Sequence, residues 1–84
     1  MSREDIRAKV KAIIAGVTGL EAASIGDQAS LRDDLNVDSL SRLEVGVDVD
    51  YAFQLKLPDE TYSEIDTVDA MVELVARRLS EKAA

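Results

Sequence analysis

The chain has 84 residues, 46% hydrophobic and 32% charged, which is the balance of one small folded domain and not of a disordered chain. Its formal net charge of −7 argues against nucleic-acid binding, which needs basic patches, and favours partners with basic docking surfaces. With no cysteine, it has neither a disulfide framework nor a thiol of its own.

The first predicted element is an amphipathic helix over residues 3–16. Ser2, with Asp5 three residues later, resembles a capping box at its start. Gly16 and Gly19 should mark its end. The apolar residues that recur at helical spacing are Ile6, Val10, Ile13, Ile14 and Val17.

Residues 18–37 should form a long connection, a feature that is uncommon in compact domains and often functional. Ser30 is placed to cap a short turn at residues 30–34. The apolar residues expected to anchor this connection to the core are Leu20, Ile25, Leu31 and Leu35.

Asp38-Ser39-Leu40 follows this connection. Because aspartate is a favoured helix N-cap, Ser39 should lie in the first turn of a helix with its hydroxyl exposed. The chain has no histidine or cysteine, and no lysine lies close to Ser39 in sequence, so nothing would activate that hydroxyl. A displayed but unactivated serine suits a site that another enzyme modifies better than it suits a catalytic nucleophile. We therefore predict no catalytic residues and no enzymatic activity.

The segment from residue 43 to residue 57 alternates apolar and polar residues, which alone is typical of a strand. A strand of that length would be unusual, and nothing else in the chain offers a partner strand. A helix would bury one apolar stripe, expose another, and include Gly46 at a cost of about 1 kcal/mol relative to alanine. The two helical stripes are Leu43, Val47 and Tyr51, and Val45, Val49 and Phe53.

Pro58 should end this run, because the residue before proline avoids helical angles. Residues 59–63 can form a short helix with acid in its first turn, and Asp66 or Thr67 should cap the last helix. The apolar residues at helical spacing in that last helix are Val68, Met71, Val72, Val75 and Leu79.

These features together resemble the acyl carrier proteins over nearly the whole chain. The resemblance is carried by Leu35-Asn36-Val37-Asp38-Ser39-Leu40, Glu44, Asp50, Phe53 and Leu57-Pro58-Asp59-Glu60. It supports a helix over residues 39–54. It implies one all-α domain over residues 1–84, a four-helix bundle with a long loop between helices 1 and 2 and a short third helix. The family usually has glycine where this chain has Asn36, and asparagine tolerates left-handed backbone angles well enough to form the same turn.

The resemblance also implies the attachment site. Ser39 would carry 4'-phosphopantetheine, donated by coenzyme A, through a phosphodiester. Asp38 would assist the phosphopantetheinyl transferase and its metal, and Leu40 completes the motif. The chain would hold acyl intermediates as thioesters for enzymes of fatty-acid, polyketide or specialised lipid biosynthesis.

The same helix should dock the acyl-loading and acyl-processing partner enzymes. The family typically carries more acid late in this helix, where this chain has Tyr51 and Ala52, and Arg42 adds positive charge near the serine. These departures from the family favour a dedicated set of partners. The predicted docking residues are Leu43, Glu44, Val47, Asp48, Asp50 and Tyr51. The residues that could line a shelter for the cargo, and are equally credible as plain core, are Gly46, Val49, Tyr62, Ile65, Val68 and Met71.

Two other functions stay open at this point. One is a calcium-binding module, since Asp34, Asn36 and Asp38 alternate as at the start of an EF-hand loop. That loop fails at its sixth and twelfth positions, where Ser39 and Val45 stand, so we predict no metal site. The other is a non-covalent acidic helical adaptor that uses the exposed stripe and does not need Ser39.

The location is predicted to be cytoplasmic and the state monomeric. No apolar stretch approaches the length of a membrane span, and the first five residues do not resemble the start of a signal peptide.

Overall fold

The computed structural model describes residues 2–83 and is helical throughout its regular elements. The helices are α1 (Arg3–Thr18), α2 (Ser39–Phe53), α3 (Asp59–Ser63) and α4 (Val68–Ala83), with a 3₁₀ turn at Ala22–Ser24. Helix α1 packs against α4 and α2, and α2 packs against α3. The all-α prediction is confirmed. The predicted domain also includes Met1 and Ala84, which lie outside the described residues.

Helix α1 begins at the predicted capping box and ends later than predicted. The hydroxyl of Ser2 accepts a hydrogen bond from the N–H of Asp5 at 3.2 Å, and the Asp5 carboxylate accepts one from the N–H of Ser2 at 3.4 Å. Gly16 lies inside the helix. Gly19, in the left-handed conformation with φ of 81°, ends it, because glycine adopts positive φ without steric cost.

Ion pairs join α1 to the loop that follows it and to α4. Arg7 pairs with Asp69 on α4 at 2.8 Å, and Lys11 pairs with Asp27 in the loop at 2.6 Å. Asp27 also lies 3.6 Å from Arg7. These contacts place Arg7 and Lys11 against acids of the loop and of α4.

The loop from residue 19 to residue 38 is held against the start of α4. The N–H of Leu31 donates to the carbonyl of Asp66 at 2.6 Å. Ser30 caps a turn as predicted, its hydroxyl accepting from the N–H of Asp33 at 3.0 Å. The loop is therefore an ordered part of the fold that delivers the chain to the start of α2.

Three of the four predicted loop anchors are correct. Ile25 and Leu31 are buried, and Leu35 is half-buried against the core. The prediction was wrong for Leu20, whose side chain is 39% exposed. Leu20 directly follows the left-handed Gly19, which turns the chain out of α1 before it returns to the core.

The alternating segment forms helix α2 and not a strand. The helix ends one position before the predicted limit, because Gln54 adopts φ of 53° and serves as the left-handed C-cap. The period of two arises because two apolar stripes of one helix interleave in sequence. The buried stripe is Val45, Val49 and Phe53, and the exposed one includes Leu43, Val47 and Tyr51.

Helix α3 lies unusually close to α2 at Gly46. Tyr62 of α3 is only 2% exposed, and a Cβ added at Gly46 would come within 2.7 Å of the Tyr62 Cβ. The Tyr62 hydroxyl donates to a carboxylate oxygen of Asp50 at 2.7 Å. Burial, together with this hydrogen bond, raises the pKa of Tyr62 above its ordinary value. Glycine in α2 therefore permits a contact that any side chain would obstruct.

Of the two predicted caps of α4, Thr67 is the one used. Its hydroxyl accepts from the N–H of Ala70 at 3.1 Å. Asp66 instead joins three parts of the chain. One of its carboxylate oxygens accepts from the Ser30 hydroxyl at 2.6 Å, and the other accepts from Nη2 of Arg42 at 3.0 Å.

Candidate functional site

Asp38 caps α2 as predicted and places Ser39 in its first turn. The backbone of Asp38 is extended, and its carboxylate accepts from the N–H of Ser41 at 2.8 Å. That hydrogen bond lowers the pKa of Asp38 below its ordinary value, which keeps the carboxylate ionised at neutral pH. Ser39 follows with its side chain exposed.

The turn before the cap is made by asparagine. Asn36 adopts the left-handed conformation with φ of 55°, as its tolerance of that region predicts. The next residue, Val37, is buried, and its N–H donates to the carbonyl of Leu31 at 2.7 Å. The turn therefore fixes the chain to the core immediately before the Asp38–Ser39 pair.

The Ser39 hydroxyl lies open and unactivated. Among residues 2–83, no side chain makes a hydrogen bond with it. Arg42, the nearest cation in the site, cannot accept a proton at neutral pH. A phosphate ester on Ser39 would place negative charge at the N-terminus of α2, where the helix dipole favours it. The geometry suits a hydroxyl modified by another enzyme.

A cleft of about 210 Å³ opens beside Ser39 between α2 and α3. It is lined by Ser39, Arg42, Leu43, Asp59 and Ser63. Its walls carry one cation, one carboxylate and hydroxyl groups beside a single leucine. The cleft therefore offers mainly polar groups next to Ser39.

The exposed face of α2 carries an apolar row, which we call the α2 stripe and define as Leu40, Leu43, Val47 and Tyr51. Leu40 is 75% exposed and Tyr51 is 84% exposed. Glu44 and Asp48 are also exposed on this helix. A row of large apolar side chains in water is typical of a surface that binds a partner, so the structure brings Ser39 and five of the six predicted docking residues onto one exposed helix.

Asp50 is the predicted docking residue that the structure places differently. It is half-buried. One of its carboxylate oxygens accepts from the N–H of Leu57 at 2.8 Å and from the Tyr62 hydroxyl at 2.7 Å. Asp50 therefore joins α2 to α3 and to the segment between them. The sequence reasoning missed this role, because nothing local to Asp50 indicates its partners.

The residues expected to shelter a cargo form part of the closed core. All are buried except Ile65, which is half-buried. Tyr62 occupies the position directly over Gly46. The Tyr62 side chain therefore fills the space between α2 and α3 at this level.

The acids of the EF-hand-like run do not converge on a common point. Asp34 accepts from the N–H of Ser30 at 2.8 Å, and Asp38 is engaged by Ser41. Within the described part of the chain, no group of three or more acidic, histidine or cysteine side chains could hold a metal ion. The calcium-binding alternative therefore gains no support from the geometry. No described helix has the length and apolar character that crossing a bilayer requires.

Comparison with known proteins gives a consistent result. A family model described as a phosphopantetheine attachment site matches residues 8–75. The chain is 36% identical over 75 residues to an acyl carrier protein of Rubrobacter xylanophilus, covering 89% of this chain and 93% of the relative. It is 35% identical over 77 residues to the meromycolate extension acyl carrier protein of Mycobacterium leprae, covering 92% of this chain and 67% of the relative. The solved structure of an acyl carrier protein from Enterococcus faecalis superimposes with a TM-score of 0.74 at 35% identity, covering 93% of this chain and 99% of that one.

Proposed function

The chain belongs to the acyl carrier protein family, and from that premise we propose that Ser39 is the residue that carries its prosthetic group. A member of this family is a carrier and not an enzyme, and it bears 4'-phosphopantetheine covalently. The observation that supports Ser39 is its free hydroxyl in the first turn of α2, next to the capping Asp38. By contrast, the hydroxyls of Ser24, Ser30 and Ser63 each donate a hydrogen bond within the protein.

The attachment chemistry assigns different tasks to the two proteins. The Ser39 oxygen would form a bond to a phosphorus of coenzyme A, whose nucleotide part leaves. The proton of the Ser39 hydroxyl would go to a base of the transferase, since no side chain among the described residues, Asp38 included, hydrogen-bonds to that hydroxyl. Asp38 has acceptor capacity beyond its bond to Ser41 and can also contact the metal of the transferase. When bound, the arm supplies the thiol that holds an acyl group as a thioester.

The α2 stripe, with Glu44 and Asp48, would dock the enzymes that load and process the cargo. Opposite charge on a partner raises the rate of encounter, and the exposed apolar row supplies area to bury on contact. These partners would belong to fatty-acid, polyketide or specialised lipid biosynthesis, and we expect them to meet a monomeric carrier in the cytoplasm. The relatives from Rubrobacter and Mycobacterium are 36% and 35% identical to this chain, a difference too small to choose among these pathways.

The test of Ser39 is intact mass after incubation of the purified protein with coenzyme A, magnesium and a phosphopantetheinyl transferase. Wild type should gain the mass of one phosphopantetheinyl group, and Ser39→Ala should gain none. Ser80→Ala is the matched control, because it removes an exposed serine from α4, and it should be modified like wild type. Equal modification of Ser39→Ala would show that the group is attached elsewhere.

The non-covalent adaptor is the second candidate, because the α2 stripe is exposed and could bury apolar area against a partner without any group on Ser39. It predicts partner binding that is the same for wild type and Ser39→Ala in the absence of coenzyme A and transferase. Loss of partner engagement in Ser39→Ala, under conditions that modify wild type, would favour the carrier.

A further inference from the structure

Arg42 bridges α2 to the chain segment that follows α3. Arg42 lies in the first turns of α2, close to Ser39 in sequence, and its side chain is only 20% exposed. Nη2 lies 3.0 Å from a carboxylate oxygen of Asp66, and Nη1 donates to the carbonyl oxygen of Ser63 at 3.3 Å. Ser63 is the last residue of α3, Asp66 lies in the segment between α3 and α4, and Arg42 itself lines the cleft beside Ser39.

The group that Arg42 binds is itself fixed. The second carboxylate oxygen of Asp66 accepts from the Ser30 hydroxyl at 2.6 Å, and its carbonyl accepts from the N–H of Leu31 at 2.6 Å. The Ser30 hydrogen bond is the main cause that lowers the pKa of Asp66, so this carboxylate is ionised at neutral pH. Arg42 therefore bonds to an anion that is anchored to the loop, and this contact holds the guanidinium in place where it donates to the Ser63 carbonyl at the end of α3.

A second contact holds α3 nearer its middle. Tyr62 packs over Gly46, and its hydroxyl bonds to Asp50 on α2. Behind α3 the core is closed, and Val49 and Met71 are inaccessible to solvent. For an acyl chain that starts at Ser39, the direct way to those apolar side chains is between α2 and α3, and separating the two helices breaks the hydrogen bond from Arg42 to the Ser63 carbonyl at the end of α3.

We propose that Arg42 is a specificity-determining residue: by holding the end of α3 against α2 beside Ser39, it sets the shortest acyl chain that can enter the core. The inference rests on the proposed function, since it assumes a cargo tethered at Ser39. Each methylene group that enters the core gains a fixed amount of burial, whereas opening α3 has a fixed cost. Short chains therefore stay in solvent, and longer ones enter.

The size of the effect follows from that balance. Hydrogen bonds to charged groups are worth about as much as burying two methylene groups, so Arg42→Met should lower the length threshold by about two methylene groups. Methionine keeps an unbranched apolar stem in place of the arginine stem. Arg77→Met is the matched control, because it removes the same charge from an exposed position on α4.

The experiment uses the modified protein loaded with straight acyl groups from acetyl to decanoyl, and it measures the rate at which hydroxylamine cleaves each thioester. In wild type and Arg77→Met, the rate should fall at a common chain length. In Arg42→Met it should fall about two methylene groups earlier, with cleavage of intermediate lengths about tenfold slower than in wild type. Acetyl should be cleaved at one rate in all three proteins. Identical length profiles in Arg42→Met and wild type, or no protection at any length, would overturn the proposal.

Failure of the proposed function is recognised separately. If Ser39 accepts no group, the contact is tested in the unmodified protein, where amide exchange at Ile65, whose N–H bonds to the Tyr62 carbonyl, should be about tenfold faster in Arg42→Met than in Arg77→Met. Equal exchange overturns the role of Arg42. If Arg42→Met does not fold, NMR of the wild-type protein provides the test. The chemical shift of the Arg42 Nε group should be the same in the unloaded and the acetyl-loaded protein, and it should change in the decanoyl-loaded protein. An unshifted resonance with decanoyl overturns the proposal.

Discussion

Replacing Gly46 with alanine tests the closest contact between α2 and α3. In an open helix interior, glycine to alanine stabilises a protein by about 0.5–1 kcal/mol, since alanine has less backbone freedom to lose on folding. At Gly46 the added methyl would lie 2.7 Å from the Cβ and 2.9 Å from the Cγ of Tyr62. Because the Tyr62 Cβ is bonded directly to the backbone, rotating the ring cannot remove the clash, and α3 itself must shift.

The magnitude follows from three contributions. Overpacking of this kind costs about 1–3 kcal/mol. Displacing α3 also weakens the 2.7 Å hydrogen bond from Tyr62 to Asp50, which is worth about 1 kcal/mol. The helix-propensity gain of alanine offsets about 1 kcal/mol. Gly46→Ala should therefore destabilise the protein by about 1–3 kcal/mol, and each kcal/mol lowers the melting temperature of a chain this size by about 4–8 °C.

Gly16→Ala is the control within the same chain. It lies inside α1, and no atom outside its own helix lies within 4 Å of the added Cβ, so this variant should be more stable than wild type by about 0.5–1 kcal/mol. Urea and thermal unfolding followed by far-UV circular dichroism would give both values. If Gly46→Ala were stabilised like Gly16→Ala, α2 and α3 would not approach each other as closely as described. The closed arrangement of α2 and α3 on which the Arg42 proposal depends would then be refuted as well.

Three further predictions use other features. Asn36→Ala should lose about 1–2 kcal/mol of stability in urea unfolding because φ is positive there, whereas Asn36→Gly should stay within about 0.5 kcal/mol of wild type; equal stability of all three would contradict the turn. The pKa of Tyr62 is raised in the folded protein, so its un-ionised hydroxyl contributes fully to stability when the pH is below the ordinary tyrosine pKa of 10.0. This contribution is lost as the pH rises from there toward the pKa of Tyr62 in the folded protein. Wild type should accordingly weaken in urea above about pH 10 and Tyr62→Phe less so, while parallel curves would argue against the buried hydroxyl. Glu44→Lys should slow acyl transfer by a partner with a basic surface about threefold, and Glu64→Lys, which lies outside α2, should not; an unchanged transfer rate of Glu44→Lys with every candidate partner would count against docking there.

Sequence reasoning predicted the helices and the exposed Ser39 because their signals are local. The capping box at Ser2 and the cap at Asp38 each depend on residues within a single turn. The segment after residue 43 was harder, because its alternation fits a strand and a two-striped helix equally well. The lack of a partner strand and the resemblance to a family decided in favour of the helix.

The contacts between α2 and α3 could not be predicted, because they join residues far apart in sequence whose identities are individually ordinary. Gly46 was expected to weaken the helix and was one of the residues that could line a cargo shelter, yet its missing side chain admits Tyr62. Asp50 was expected to face partners, yet it accepts two internal hydrogen bonds. Leu20 was expected in the core because it is apolar, and only the direction in which Gly19 turns the chain shows that it is exposed.

The ion pairs of α1 have a consequence for approach at a distance. Arg7 and Lys11 pair with Asp69 and Asp27, whereas the exposed carboxylates of Glu44 and Asp48 on α2 have no ion pair among the described residues. The acids of α2 are thus not neutralised by a neighbouring cation. A basic partner surface would attract this face while still at a distance and so turn the protein before contact.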